Sequence, residues 1–212
     1  EDSIANLDNQ QSRAVIETVE GVQRIRGLAG SGKTVVLALK AAYLHAQHPE
    51  WKIAVTFNTR SLKGQLRQLI NTFYIEQTSD EPDWDNIHII HAWGAPGGGE
   101  RNGMYYTFCG THNIEYFDYI SARNQFGSTD PFGEVCNKAL KEATNTKPLY
   151  DAILVDEAQD FSPAFLRLCY EMLRDPKRLV YAYDELQNLR LQSLPSPEEI
   201  FGVDDDGVPK VK

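Results

Sequence analysis

Along the chain, apolar residues gather in two alternating textures, short β-like runs and longer stretches at helical spacing. Gly21–Ile25 reads as a strand feeding a glycine-rich turn, and Lys33–Ala46 as a helix crowded with Val, Leu and Ala. Lys52–Phe57 is the next strand. Leu62, Leu66, Leu69, Ile70 and Phe73 then recur at i, i+4, i+7, i+8 and i+11, which puts all five on one helical face. Ile87–His91, Ala152–Val155 and Leu179–Tyr183 read as three further strands, and between the last two Phe165, Leu168, Cys169, Met172 and Leu173 form one helical stripe. Strands alternating with helices predict an α/β domain, a mostly parallel sheet flanked by helices.

Residues 95–149 break the alternation and read as an insertion, so the main domain comprises 1–94 and 150–191. The insertion opens on the turn-rich Ala95-Pro96-Gly97-Gly98-Gly99. Within it, Asp130 and Pro131 predict the N-cap and first residue of a helix carrying Phe132, Cys136, Leu140 and Ala143. Its aromatics Tyr105, Tyr106, Phe108, Tyr116, Phe117 and Tyr119 read better as a small core than as a stacking platform for bases. Residues 192–212, with Pro195, Pro197 and the run Asp204–Asp206, read as a linker or tail.

The strongest chemical signal is Gly27-Leu28-Ala29-Gly30-Ser31-Gly32-Lys33-Thr34, a G-x-x-x-x-G-K-[ST] pattern between a predicted strand and a predicted helix. Glycines there let successive backbone N–H groups curl around a phosphate chain, and the helix N-terminus adds its partial positive charge. Lys33 would reach the β- and γ-phosphates of ATP and Thr34 would offer its hydroxyl to Mg²⁺. Such a loop needs an acid at the end of another strand. The apolar run Ala152-Ile153-Leu154-Val155, ending in Asp156-Glu157, supplies it, with Asp156 a ligand for Mg²⁺ and Glu157 placed to orient or deprotonate water.

Composition narrows the partners more than the fold. With 42% apolar and 24% charged residues in 212, the chain can build an ordinary globular core, which excludes a disordered or collagen-like protein. The formal charge of −9 gives no general attraction to nucleic acid. Much of the acidity sits in the last third, however, so a local basic face at Arg60, Lys63 and Arg67 remains compatible with phosphate contacts. Cys109, Cys136 and Cys169 are scattered without a CxxC pair, the usage of reduced thiols in a cytoplasmic protein. Cys109 and His112 have metal-like spacing but lack the further ligands a structural zinc site requires. The longest apolar stretch is interrupted by Lys40, so no membrane partner is expected.

Taken together, these motifs resemble those of UvrD/Rep-like superfamily 1 DNA helicases over about residues 7–190. Leu7–Val15 is similar to the family's Q motif, Gly27–Thr34 to motif I and Ala54–Ser61 to motif Ia. His91-Ala92-Trp93-Gly94 lies at the position of motif Ib, Val155–Phe161 resembles motif II, and Tyr183-Asp184-Glu185-Leu186-Gln187 resembles motif III. The family's motifs IV to VI, which lie on a second RecA-like domain, are absent from these residues.

The resemblance implies a P-loop NTPase of RecA-like fold, with the insertion at the position of subdomain 1B. It implies an ATP-driven helicase or translocase on single-stranded DNA, of 3′-to-5′ polarity, with RNA the alternative strand. The nucleotide-binding residues would be Gln11, Gly27, Ala29, Gly30, Ser31, Gly32, Lys33, Thr34 and Gln159. Gln11 would read the adenine edge. Gln187 would sense the γ-phosphate beside the catalytic Lys33, Asp156 and Glu157. Phe57, Asn58, Arg60, His91 and Trp93 would touch the strand, Phe57 by stacking. Without the second domain's arginines, slow hydrolysis is expected. The alternative in another class is a nucleotide-dependent DNA-binding switch, in a repair or phage-defence assembly, that does not translocate.

Overall fold

The computed structural model describes residues 7–27, 32–184 and 196–211. In these the chain runs α1 (Asn9–Ile16), β1 (Val22–Gly27), α2 (Gly32–Gln47), β2 (Ile53–Phe57), α3 (Leu62–Thr78) and β3 (Ile87–His91). The insertion supplies α4 (Met104–His112), α5 (Tyr119–Phe126) and α6 (Pro131–Glu142). β4 (Tyr150–Val155), α7 (Pro163–Glu171), β5 (Leu173–Asp184) and α8 (Pro197–Phe201) follow. The five strands form one sheet in the order β1-β5-β4-β2-β3, and every pairing is parallel.

A parallel sheet must be covered on both faces, and alternate strand residues show how this one is. Ile53, Val55, Phe57, Leu154 and Val180 point into a core shared with α2 and α3. Ala54, Ile153, Val155, Tyr181 and Tyr183 point into a second core shared with the insertion and α7. The insertion is therefore packed on one face of the sheet rather than standing apart. Its aromatics divide accordingly. Tyr105, Phe108 and Phe117 are buried, as the core reading expects, while Tyr119 is 54% exposed. Asp130 caps α6 by accepting from Gly133 N–H at 3.1 Å, with Pro131 in the first turn. All three cysteines are free and buried. Among the described residues no helix is long and apolar enough to cross a membrane.

One expectation is corrected. Met172 and Leu173 do not extend the helical stripe. α7 ends at Glu171, Met172 caps it, and Leu173 begins β5 by pairing with Tyr150. Both residues are buried apolar positions, which a helix end and a strand start satisfy equally, so periodicity could not separate them. Within the tail, α8 is a short helix. Ser196 and Glu199 form a capping box with Pro197 at the first helical position. The resulting turn buries Ile200 and Phe201, and Phe201 meets the Tyr170 ring of α7 at 4.9 Å.

Lys40 stands in the middle of the apolar α2 and is 1% exposed. Its ammonium donates to the carbonyls of Ala14, Val15 and Glu17 at 2.9, 3.4 and 2.6 Å, capping the C-terminal end of α1 from the neighbouring helix. Burial pushes its pKa down to about 8 despite the nearby Glu17. Lys40→Met keeps the stem and removes the donors. Thermal unfolding followed by circular dichroism should show a loss of about 2 kcal/mol, or roughly 4–8 °C in Tm for a chain of this size. A Tm within 1 °C of the wild type would refute the capping role.

Candidate functional site

Parallel strands deliver their carboxyl ends to one edge of the sheet, and the chemistry collects there. β5 lies between β1 and β4, so its last residue Asp184, paired in register with Gly27, sits between the ends of those two strands. Gly32, Lys33 and Thr34 form the first turn of α2. The Thr34 hydroxyl donates to Asp156 Oδ2 at 2.8 Å, a buried contact spanning 122 positions of sequence. Lys33 Nζ lies 3.6 Å from Asp184 Oδ2, with little of either side chain exposed.

Glu157 follows Asp156 in a left-handed conformation, φ +54°, and its N–H donates to Asp156 Oδ1 at 2.9 Å. Its carboxylate turns toward the loop after β2, accepting from Thr59 N–H at 3.3 Å and Thr59 Oγ1 at 3.0 and 3.2 Å. Gln159 Oε1 accepts from Asp184 N–H at 3.1 Å, which joins the motif II turn to the end of β5. Gln11 sits on α1, where its Oε1 and the Asp8 side chain close a capping box. Its carboxamide nitrogen is the group able to meet a base edge. Ala29, Gly30, Ser31 and Gln187 lie outside the described residues.

The electrostatics are lopsided. Asp156, Asp160 and Asp184 lie around Lys33, and Glu157 adds its charge beside Asp156 and Asp160. Burial raises the pKa of Asp156, against the opposing pull of the Thr34 and Glu157 hydrogen bonds. Burial also raises that of Asp160, helped by Glu157. Such a site is short of positive charge. Hard oxygen ligands from a hydroxyl and a carboxylate suit Mg²⁺, which binds through one or two protein groups plus phosphate oxygens and water. Among the described residues no group of three His, Cys, Asp or Glu could hold a metal by itself.

The predicted strand contacts lie beyond the end of β2. A groove of about 740 Å³ runs between the β2–α3 loop and the insertion, lined by Arg60, Lys63, His91, Trp93, Tyr116 and Tyr119 among others. Its floor is built by the chain folding back after β3. Tyr105 and Tyr106 N–H donate to the carbonyls of Ala92 and Trp93, and Gly94 packs so closely that a side chain there would meet Gly103 N at 2.5 Å. His91 Nε2 lies 2.7 Å from the Asn58 carbonyl, and its Nδ1 accepts from Trp93 N–H at 3.2 Å. Those partners set the neutral tautomer with the proton on Nε2, and burial holds the pKa below the ordinary histidine value.

Phe57 is 1% exposed, meets His91 edge-on at 5.8 Å and lines the inner side of the groove, while most of its ring belongs to the α2–α3 core. Trp93 is half-buried, stacked on Phe132 and donating to the Phe117 carbonyl at 2.8 Å. The aromatic surface turned to solvent is Tyr119, beside Ile120 at 69% exposure. Asn58 and Arg60 are exposed at the strand end. Thr59 and Asp184 were not foreseen as site residues. Both stand inside recognised motifs, but only the sheet order places Asp184 against Lys33, and only the turn geometry brings Thr59 to Glu157.

A scan against models of protein families finds no match for the chain, and no curated protein matches it.

Proposed function

We propose that this chain is the nucleotide-holding, RecA-like domain of an ATP-driven motor that moves on single-stranded DNA, in the manner of UvrD-like helicases. The observation that carries the reading is the 2.8 Å contact between Thr34 of the phosphate-loop motif and Asp156 at the end of β4. Residues far apart in sequence meet where a nucleotide-bound Mg²⁺ would need them.

In this reading the loop 27–34 wraps the phosphates, Lys33 leaves Asp184 for the β- and γ-oxygens, and Thr34 and Asp156 hold the cation. Mg²⁺, when bound, supplies charge neutralisation between those phosphates. Glu157 orients the attacking water and accepts its proton, while Gln159 ties the motif II turn to the end of β5. A strand crosses the carboxyl edge through the groove, its phosphates met by Arg60 and Lys63 and a base by Tyr119. That assigns stacking to Tyr119 in place of Phe57.

The test is steady-state ATP turnover with and without an oligothymidylate at low salt, where phosphate contacts are strongest, against a Lys33→Ala background. Strand-stimulated turnover that disappears in Lys33→Ala supports the motor. Saturable Mg²⁺–ATP binding with strand affinity that depends on nucleotide, but with unstimulated turnover, favours the switch instead. Absence of saturable nucleotide binding sinks both.

A further inference from the structure

The Glu157 carboxylate has both oxygens engaged by Thr59, through the backbone N–H and the hydroxyl. Two donors leave lone pairs free on the carboxylate but fix its orientation toward the 58–60 loop, and a general base must be oriented toward the water whose proton it takes. Thr59 lies between Asn58 and Arg60 on the loop that borders the groove. The Asn58 carbonyl is in turn held by His91 Nε2 at 2.7 Å, and His91 lines the groove floor. A path therefore runs from the groove to Glu157, by a hydrogen bond from His91 to Asn58, the peptide link from Asn58 to Thr59, and the hydrogen bonds from Thr59 to Glu157. Glu157 itself sits in the left-handed region, a conformation that costs a non-glycine residue energy and persists only while its surroundings hold it. Among the contacts that hold it are the Thr59 bonds, its own N–H to Asp156, and the Asp160 N–H that donates to its carbonyl at 2.9 Å; of these only the Thr59 bonds reach the groove-side loop.

From this geometry we infer that Thr59 is a positioning residue that restrains Glu157 while the groove is empty of a strand, and that a strand engaging the 58–60 loop releases Glu157 for hydrolysis. The inference rests on the nucleotide-motor reading above. It gives the coupling a physical element, a carboxylate with two alternative sets of partners, biased from the groove through one short loop. Charged groups bordering the loop add to the bias. Arg60 and Lys63 face the groove and are the groups a phosphate would draw, and Lys63 already pairs with Glu100 at 2.6 Å. Pulling Arg60 toward the groove displaces its neighbour Thr59.

Thr59→Val removes the hydroxyl and keeps the β-branched shape, while Thr59→Ser keeps the hydroxyl. Single-turnover and steady-state ATP hydrolysis would be measured on both variants and the wild type, with and without oligothymidylate, using Glu157→Gln as background. The strand-free kcat of Thr59→Val should rise about tenfold with its KM for ATP within about twofold, and strand stimulation should shrink by the same factor. Thr59→Ser should behave as wild type. A loop merely needed for folding would instead lower kcat in Thr59→Val and leave the stimulation ratio unchanged. The inference is overturned if strand-free kcat in Thr59→Val equals or falls below the wild type, including the case where neither exceeds the Glu157→Gln background. A fluorescent-nucleotide titration on the same samples separates the two levels. Lost Mg²⁺–ATP binding by the wild type would overturn the motor reading itself, whereas intact binding with unchanged kcat overturns only the role of Thr59.

Discussion

Glu157→Gln is expected to lower the rate of ATP hydrolysis by about 10²- to 10⁴-fold, or to the Lys33→Ala background, the range a positioned general base contributes. Nucleotide affinity should stay within about twofold, because Glu157 makes no contact with Lys33 or Thr34 and binding without chemistry is a separate quantity. Glutamine is the right probe for a structural reason. Its Oε1 can accept from Thr59 N–H, and its amide can donate to Thr59 Oγ1, so the left-handed turn at 157 keeps its support. Only the ability to take a proton is lost. Single-turnover hydrolysis beside a nucleotide titration resolves the two quantities. A variant that keeps more than about a tenth of the wild-type rate would remove Glu157 from the chemistry.

Much of the fold was legible because burial and period agree. The run 152–155 is apolar throughout and proves to be buried on both faces in β4, and the five-residue stripe of α3 comes from strict helical spacing. Where the text failed, the period was ambiguous or too short to see. Met172 and Leu173 satisfy a helix and a strand equally. The helix at 197–201 has five residues, too few for an amphipathic period, yet Ser196-Pro197-Glu198-Glu199 spelled its capping box. Reading that local chemistry would have recovered the element that hydrophobic spacing missed.

The site divides the same way. Fixed sequence patterns single out Lys33, Thr34, Asp156 and Glu157 as candidates, and the fold brings Thr34 to Asp156. The other partners of those residues could not be singled out that way. Asp184 reaches Lys33 because β5 is inserted between β1 and β4, a fact of strand order that local patterns do not encode. Thr59 meets Glu157 across 98 positions. Phe57 was expected to stack on a base because it ends a strand, but parity decides its side. Phe57 shares the face of Ile53 and Val55, which belongs to the α2–α3 core. Counting alternation from Ile53 would have placed it inside.

Asp156→Asn separates function from stability at one position. Asp156 is 2% exposed, and burial holds its pKa above the ordinary aspartate value. A carboxyl group with a raised folded-state pKa disfavours the folded state when ionised. That cost is fully present above the folded pKa, shrinks as pH falls, and is gone below about pH 4, where the unfolded chain also holds the proton. Asparagine carries no charge to desolvate, and its amide can donate to Thr34 Oγ1 while its oxygen accepts from Glu157 N–H, so neither buried partner is stranded. The ligand-free variant should therefore melt roughly 2–4 °C higher at neutral pH, the shift about 1 kcal/mol produces in a chain of this size, and the gain should vanish toward pH 4. In the nucleotide-motor reading the same substitution would take from Mg²⁺ the carboxylate at the end of β4. Affinity for ATP in Mg²⁺ should drop by about 10²-fold, while affinity in EDTA should hold or improve, because one carboxylate no longer faces the phosphates. Calorimetry in the two buffers and melting curves across pH read these effects separately. Equal losses in Mg²⁺ and EDTA would mean that Asp156 supports the loop rather than the cation, and a lower Tm at neutral pH would mean that its charge is compensated within the ligand-free site.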